Sequence, residues 1–302
     1  MNIVKKDRQE HGKSQEKRLK MKKTLLIQSS GGRSSMFMAR LIKEHPHFNR
    51  EFNLVFAFAN TGKEREATLK FVNRCDKEWG LGIVWIEAVI TQERGEGTRH
   101  KIVTYETADR TGKVFEEMLM KYGIPSIKYP HCTRELKDNA MISFMKSLGI
   151  DEFITARGIR ADEPHRLNKN QHQENIIYPL VDMNVNEAFI RNWWKKQCFD
   201  LELKDYQGNC DLCWKKSKRK RLTMIAEEHQ IAEWWQKMET KYSDGFNKTQ
   251  FDQREGLTVD ELIEMAKQPF RNAIDKQELR EQNPPLFEPN MDMEWDCFCK
   301  ST

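Results

Sequence analysis

No run of about 18 consecutive apolar residues occurs in this 302-residue chain, so no segment is equipped to cross a bilayer as a helix. A strong charge excess is also missing. The net charge of +5 suits a polyanionic ligand but is shared by many ordinary enzymes. Internal repeats are absent, and the chain start has too few apolar residues for a secretory signal, so the protein is expected in the cytoplasm. Hydrophobic residues make up 38% and charged residues 32%, the balance of a globular protein with a polar surface. The length allows one large domain, or one domain with an appendage.

Residues 1–20 are almost all charged or amide-bearing and show no apolar period, which predicts a flexible basic tail. The next segments alternate. Apolar runs at Thr24–Ser29, Asn53–Ala59, Gly82–Ile90 and Asp151–Ala156 read as strands, and Ser34–Glu44, Glu64–Trp79 and Thr133–Leu148 read as helices. Such alternation predicts an α/β fold, a doubly wound parallel sheet with helices on both faces. Residues 91–113 and 157–175 are polar and read as long loops. Beyond residue 206 come a Cys-x-x-Cys segment, helices at Leu222–Lys241 and Val259–Lys267, and an irregular tail. The expected division is a tail over 1–20, an α/β domain over 21–205 and a C-terminal region over 206–302.

Between the first strand and first helix lies Ser29-Ser30-Gly31-Gly32-Arg33-Ser34-Ser35. Glycines let backbone N–H groups face a phosphate, the helix start adds partial positive charge, and Arg33 adds a full one. The alternative is a capping turn without a ligand. Neither a Gly-Lys-Ser/Thr ending nor a Gly-x-Gly-x-x-Gly spacing is present.

The segment Ser30–Ser35 resembles the Ser-Gly-Gly-Lys-Asp-Ser loop (PP-loop) of the adenine-nucleotide alpha-hydrolase superfamily, which includes ATP pyrophosphatases and phosphoadenylyl-sulfate (PAPS) reductases. Four further segments follow in the family's order. Asn60-Thr61-Gly62-Lys63-Glu64 is similar to its Asn-Thr-Gly-x-Glu, and His131–Lys137 to its Cys-Cys-x-x-Arg-Lys. Arg157-Gly158-Ile159-Arg160-Ala161-Asp162-Glu163 is similar to its Gly-x-Arg-x-x-Glu, with Arg166 beyond, and Cys210–Cys213 to the Cys-x-x-Cys of its iron–sulfur members. The resemblance covers about residues 24–235. It implies that Ser30, Gly31, Gly32, Arg33, Ser34, Ser35, Asn60, Thr61, Gly62 and Glu64 approach the nucleotide. It further implies that Lys137, Arg157, Gly158, Arg160 and Arg166 surround phosphate or sulfate. Arg33 stands in place of the family's Lys, and Ser34 in place of its acidic residue.

The chain has seven cysteines. Clustered cysteines in a reducing compartment bind metals or do redox work more often than they pair. Cys210 and Cys213 can chelate one metal, and the resemblance adds Cys132, with His131, Cys297 or Cys299 as fourth ligand of a [4Fe–4S] cluster or Zn²⁺. The rival reading makes Cys297 and Cys299 mobile catalytic thiols, with Arg160 facing the sulfate. A third makes Cys210 and Cys213 a metal-free redox couple. Cys75 and Cys198 sit in helical apolar patterns and read as core residues. Of Trp193-Trp194 and Trp234-Trp235, one of each pair is expected in the core. The basic stretch Lys215–Arg221 reads as a solvated helix face, as support for a cysteine-ligated cluster, or as an attractor of nucleic acid.

The resemblance implies an oxidoreductase acting on PAPS or adenylyl sulfate, with a thiol reductant such as thioredoxin. The alternatives are an ATP pyrophosphatase that adenylates a nucleic acid for sulfur transfer, with Mg²⁺ accompanying ATP, and a non-catalytic nucleotide- or nucleic-acid-binding module. A homo-oligomer is compatible with each.

Overall fold

The computed structural model describes residues 22–208, 210–243, 250–252 and 254–275. The expected tail over 1–20 and the irregular segment carrying Cys297 and Cys299 lie outside them. β1 (Lys23–Ser29) is apolar on both faces. Leu25 and Ile27 enter one buried cluster and Leu26 the other. Burying each such side chain is worth about 1.5–3 kcal/mol, which fixes a central strand by its own composition.

From β1 the chain runs into α1 (Arg33–Glu44) and returns as β2 (Phe52–Asn60), parallel to β1. Helix α2 (Glu66–Trp79) leads to β3 (Val84–Val89), parallel to β2. β4 (Arg99–Val103) pairs antiparallel with β3. Helix α3 (Lys113–Tyr122) and then α4 (Ala140–Ser147) follow, and β5 (Ile154–Arg157) pairs with the free side of β1. A two-residue β6 (Ile176–Ile177) and α5 (Glu187–Lys195) complete the layer. The sheet order is β4-β3-β2-β1-β5-β6, five strands parallel and one edge strand reversed. The expected doubly wound α/β fold is therefore what the chain forms.

Three expectations need correction. Residues 91–113 hold β4. As an edge strand exposed along most of its length it can be half charged, so no apolar period betrays it. The expected helix at 222–241 is two helices, α6 (Lys218–Glu227) and α7 (Ile231–Tyr242). Trp193 and Trp194 are both buried, because α5 packs between α1 and the α2 end rather than along one seam.

The C-terminal helices α6, α7 and α8 (Val259–Ala266) share one core with the sheet. Leu222, Trp235, Met238 and Leu262 belong to the cluster that contains Leu26 and Ile86. Arg221 and Asp252 form an ion pair with side chains only 3% and 1% exposed. Removing one partner strands a buried charge, so Asp252→Ala is expected to cost about 3–5 kcal/mol in denaturant unfolding. Among the described residues no helix is long and apolar enough to cross a membrane.

Candidate functional site

At β1 the sheet reverses its winding, since β2 lies on one side and β5 on the other. The loops leaving the carboxyl ends of β1 and β5 therefore part in opposite directions and leave a crevice. Two glycines shape it. Gly31 has φ +77°, and a Cβ there would stand 2.5 Å from Thr68 Cγ2. At Gly158 a Cβ would stand 2.7 Å from Ser35 Cα, so the β5 loop rests directly on the β1 loop. Ser35 Oγ accepts from the Ser30 N–H at 3.2 Å and donates to the Gly32 carbonyl at 2.9 Å, which closes the turn on itself. Gly32 caps α1 without a side-chain hydrogen bond, leaving the first amides of the helix to the crevice.

The crevice is a cleft of about 310 Å³ bordered by Ser30, Gly32, Ser34, Gly158, Arg160 and Arg166. Arg160 donates to Ser34 Oγ at 3.2 Å and to Asp162 at 2.9 Å, so it bridges the two loops. Arg166 pairs with Glu163 at 2.6 Å and stays half exposed at the rim. Arg33 lines the cleft, and its guanidinium is held by protein partners. It donates to Asp200 at 2.7 Å and to the Leu201 carbonyl at 2.6 Å, because those partners come close enough to outcompete solvent. Its own carbonyl accepts from Trp194 Nε1 at 3.1 Å. Arg33 thus braces the loop, while Arg160, Arg166 and Lys204, and Arg191 paired with Glu187 and Asp205, set the charge along the cleft.

Asn60, Thr61 and Gly62 do not line the cleft. Asn60 is buried and donates to Glu87 at 2.7 Å and to the Asp109 carbonyl at 2.8 Å, while the Gly62 N–H donates back to Asn60 Oδ1 at 3.2 Å. Thr61 gives both its N–H and its hydroxyl to Glu64, each at 2.8 Å. Their polar groups are consumed in building the turn after β2. Arg157 likewise faces Gln28 at 3.1 Å and Asp138 at 2.8 Å, which ties β1, β5 and the segment before α4 together behind the cleft.

The turn after β2 positions a second feature. Glu64 and Cys210 form an isolated antiparallel bridge, and Lys63 pairs with Asp211 at 2.8 Å. The Cys-x-x-Cys loop is thereby docked on the turn after β2. Cys210 Sγ lies 3.8 Å from Glu64 Oε1, and Lys137 Nζ lies 3.8 Å from the same oxygen. Cys132 and Cys213 lie within electrostatic reach of the same ammonium. Lys137 projects from a π-helical stretch, Arg134–Asn139, a wide turn that often marks functional positions. Burial raises the Cys210 thiol and Glu64 adds to the rise, against Lys137 and Lys216. Burial alone would lower Lys137, but the thiols and Glu64 outweigh it and hold its ammonium well above the usual range.

The two features adjoin. Gly208 lines the cleft, and a Cβ on it would stand 3.4 Å from Lys216 Nζ, whose ammonium donates to the Cys210 and Asp211 carbonyls. Lys137, Lys215 and Lys216 place positive charge near Cys132, Cys210 and Cys213. Among the described residues no three His, Cys, Asp or Glu side chains stand at metal-ligand spacing. His131 is not directed to the thiols. Its ring stacks on Tyr122 and Tyr129, and its Nδ1 lies 3.0 Å from Arg134. Cys75 is buried as expected, whereas Cys198 is exposed in the turn after α5 and is not a core residue.

Sequence reasoning missed Glu87, Asp109, Asp138 and Asp200, the carboxylates that hold the site's scaffold. None stands in a recognisable spacing, because each meets its partner only through the fold.

Fold and site together define a doubly wound α/β protein with a cleft at the switch point and the Cys-x-x-Cys loop beside it. The chain belongs to the family of a phage protein, "Uncharacterized nin region protein ORF290" of Escherichia phage lambda. The two are 31% identical over 202 residues, which is 65% of this chain and 67% of the lambda protein. It is also 26% identical over 175 residues to "Uncharacterized protein MJ0066" of Methanocaldococcus jannaschii, covering 58% of this chain and 30% of the archaeal one. No family model and no solved structure matches the chain.

Proposed function

We propose that the protein is a PAPS reductase-like enzyme of the PP-loop superfamily, binding an adenine nucleotide in the cleft and doing sulfur chemistry at the adjoining thiol pocket. One observation carries this reading: Ser30–Ser35 and the Gly158–Arg166 loop border one cleft, and its Gly208 edge adjoins Lys216, which donates to the Cys210 carbonyl. The α1 amides and Arg160 would hold the phosphates, and Arg166 would close the rim.

With PAPS or adenylyl sulfate bound, a cysteine thiolate attacks the sulfate sulfur. An S–S bond forms, the S–O bond to the nucleotide phosphate breaks, and the nucleotide leaves as the phosphate anion. A second thiol then displaces sulfite from the resulting thiosulfonate, leaving a disulfide that an external thiol such as thioredoxin reduces. Lys137 and Arg160 would offset the charge that develops at sulfur. The attacking thiols proposed from the sequence, Cys297 and Cys299, lie outside the described residues. An iron–sulfur cluster or Zn²⁺ would be held by Cys132, Cys210 and Cys213 and would supply redox or Lewis-acid chemistry there. The free thiols at Cys75, Cys132, Cys210 and Cys213 fit a reducing compartment, so the proposed location is the cytoplasm.

A second reading is favoured by the cations that surround the thiol pocket, Lys215 at Thr133 and Arg134 at His131. In it the nucleotide is ATP, and the enzyme adenylates a nucleic acid before sulfur transfer, releasing pyrophosphate. Incubating the reduced full chain with PAPS and dithiothreitol is expected to release sulfite. Pyrophosphate from ATP with Mg²⁺, and no sulfite, would select the second reading. If neither product forms, both enzymatic readings fail.

A further inference from the structure

The turn between α3 and the thiol pocket carries a feature that neither the cleft nor the pocket uses. Tyr122, His131 and Tyr129 form a stacked ladder. The His131 ring lies 5.5 Å from Tyr122 at 23° and 6.0 Å from Tyr129 at 8°. The turn beneath is built to present it. The Ser126 N–H donates to the Tyr129 carbonyl at 2.9 Å, the Tyr129 N–H donates to Ser126 Oγ at 2.8 Å, and the His131 N–H returns to the Tyr129 carbonyl at 2.8 Å. Such a closed turn holds an aromatic ring outward at little further entropic cost. Tyr129 is 52% exposed, a large aromatic side chain held at the surface by this turn.

Three cations border the ladder. Lys128 Nζ sits 5.3 Å from the Tyr129 ring centre and the Arg134 guanidinium 5.7 Å from that of Tyr122. Lys215, which donates to Thr133 Oγ1 at 2.9 Å, stands on the thiol side. Arg134 is ion-paired with Glu135 at 2.6 Å; that carboxylate is buried and also accepts from Thr98 and Asn139, while the Arg134 side chain stays half exposed. Parallel aromatic faces bordered by cations are what an unpaired nucleobase with its phosphates requires, since every base offers a π-face and every linkage a negative charge. The ladder continues directly into Cys132 through the peptide bond of His131.

We propose that Tyr129, stacked on His131 and Tyr122 and flanked by Lys128, Arg134 and Lys215, is a platform for an unpaired base of a single-stranded nucleic acid. The strand passes beside the thiol pocket, with its base on Tyr129 and its phosphates on the three cations. This names the macromolecular substrate of the second reading above and rests on that reading only for what is done to the base.

The test is fluorescence anisotropy with fluorescein-labelled 20-nucleotide single strands of mixed sequence, RNA and DNA, on the full chain. Tyr129→Ala is expected to weaken binding by about 5- to 100-fold, the worth of one stacked base, while Tyr129→Phe retains it. A strand carrying 2-aminopurine should be quenched by the parent protein and by Tyr129→Phe but not by Tyr129→Ala. Lys128→Ala should flatten the dependence of log affinity on log salt by about 0.7. Unchanged affinity in Tyr129→Ala overturns the proposal, as does failure to bind either strand at low salt, which would leave the turn and its exposed Ile127 to a protein partner. Displacement of the strand by excess ATP would place it in the cleft and overturns it too. Because the readout is binding alone, a protein that holds the strand yet releases neither sulfite nor pyrophosphate would sink the enzymatic readings and leave the platform standing.

Discussion

Gly158→Ala is expected to weaken binding of ATP or PAPS by about 100-fold or more while leaving the protein folded. The new Cβ would lie 2.7 Å from Ser35 Cα and 3.1 Å from Ser35 N, so it meets backbone that no side-chain rotation can clear. Ser35 is the residue that closes the β1 loop, through the Ser30 N–H and the Gly32 carbonyl. Pushing it displaces the α1 amides together. Two hydrogen bonds to a charged phosphate are worth about 1.5–3 kcal/mol each, and losing both corresponds to roughly 100- to 10⁴-fold in affinity. Stability should change far less, because β1 and β5 are held by burial along their length rather than at this contact. Gly97→Ala is the control: its added Cβ would meet nothing within 4 Å, and calorimetry should find its nucleotide affinity unchanged.

The second large effect belongs to Lys137. Lys137→Met keeps the stem and removes the ammonium within electrostatic reach of Glu64, Cys132, Cys210 and Cys213. Loss of a positioned electrostatic donor typically costs about 10²- to 10³-fold in kcat. That fall is expected in sulfite or pyrophosphate release, with nucleotide affinity preserved, because Lys137 does not border the cleft. Lys137→Arg should recover part of the rate. A variant that turned over normally would show that the thiol pocket takes no part in the reaction.

How much of this was legible in the sequence depends on how local each cause is. β1 announces itself because both its faces are buried, and the Ser30–Ser35 turn because glycine and serine punctuate a strand-to-helix change. The meeting of that turn with Gly158 and Arg160 could be expected only through resemblance, since nothing in spacing says which loops share a crevice. β4 was illegible because an exposed edge strand needs no apolar face. Arg33 shows in the sequence as a free cation because its partner Asp200 lies 167 positions further on, unseen by any local window. Asn60 and Thr61 read as ligand contacts for a similar reason. Their true partners, Glu87, Asp109 and Glu64, absorb donors that the sequence shows as free. The π-helical turn that sets Lys137 among the thiols has no sequence signature at all.

Hydrogen exchange of the full chain with and without PAPS, and separately ATP, tests the central claim most directly, because it asks where a nucleotide sits as well as whether it binds. Bound nucleotide should slow the amides of Gly32, Arg33, Ser34 and Ser35 and the segment around Gly158 and Arg160, and leave the β4 edge unchanged. Saturating nucleotide that left the Gly32–Ser35 amides exchanging at their original rate would contradict the account.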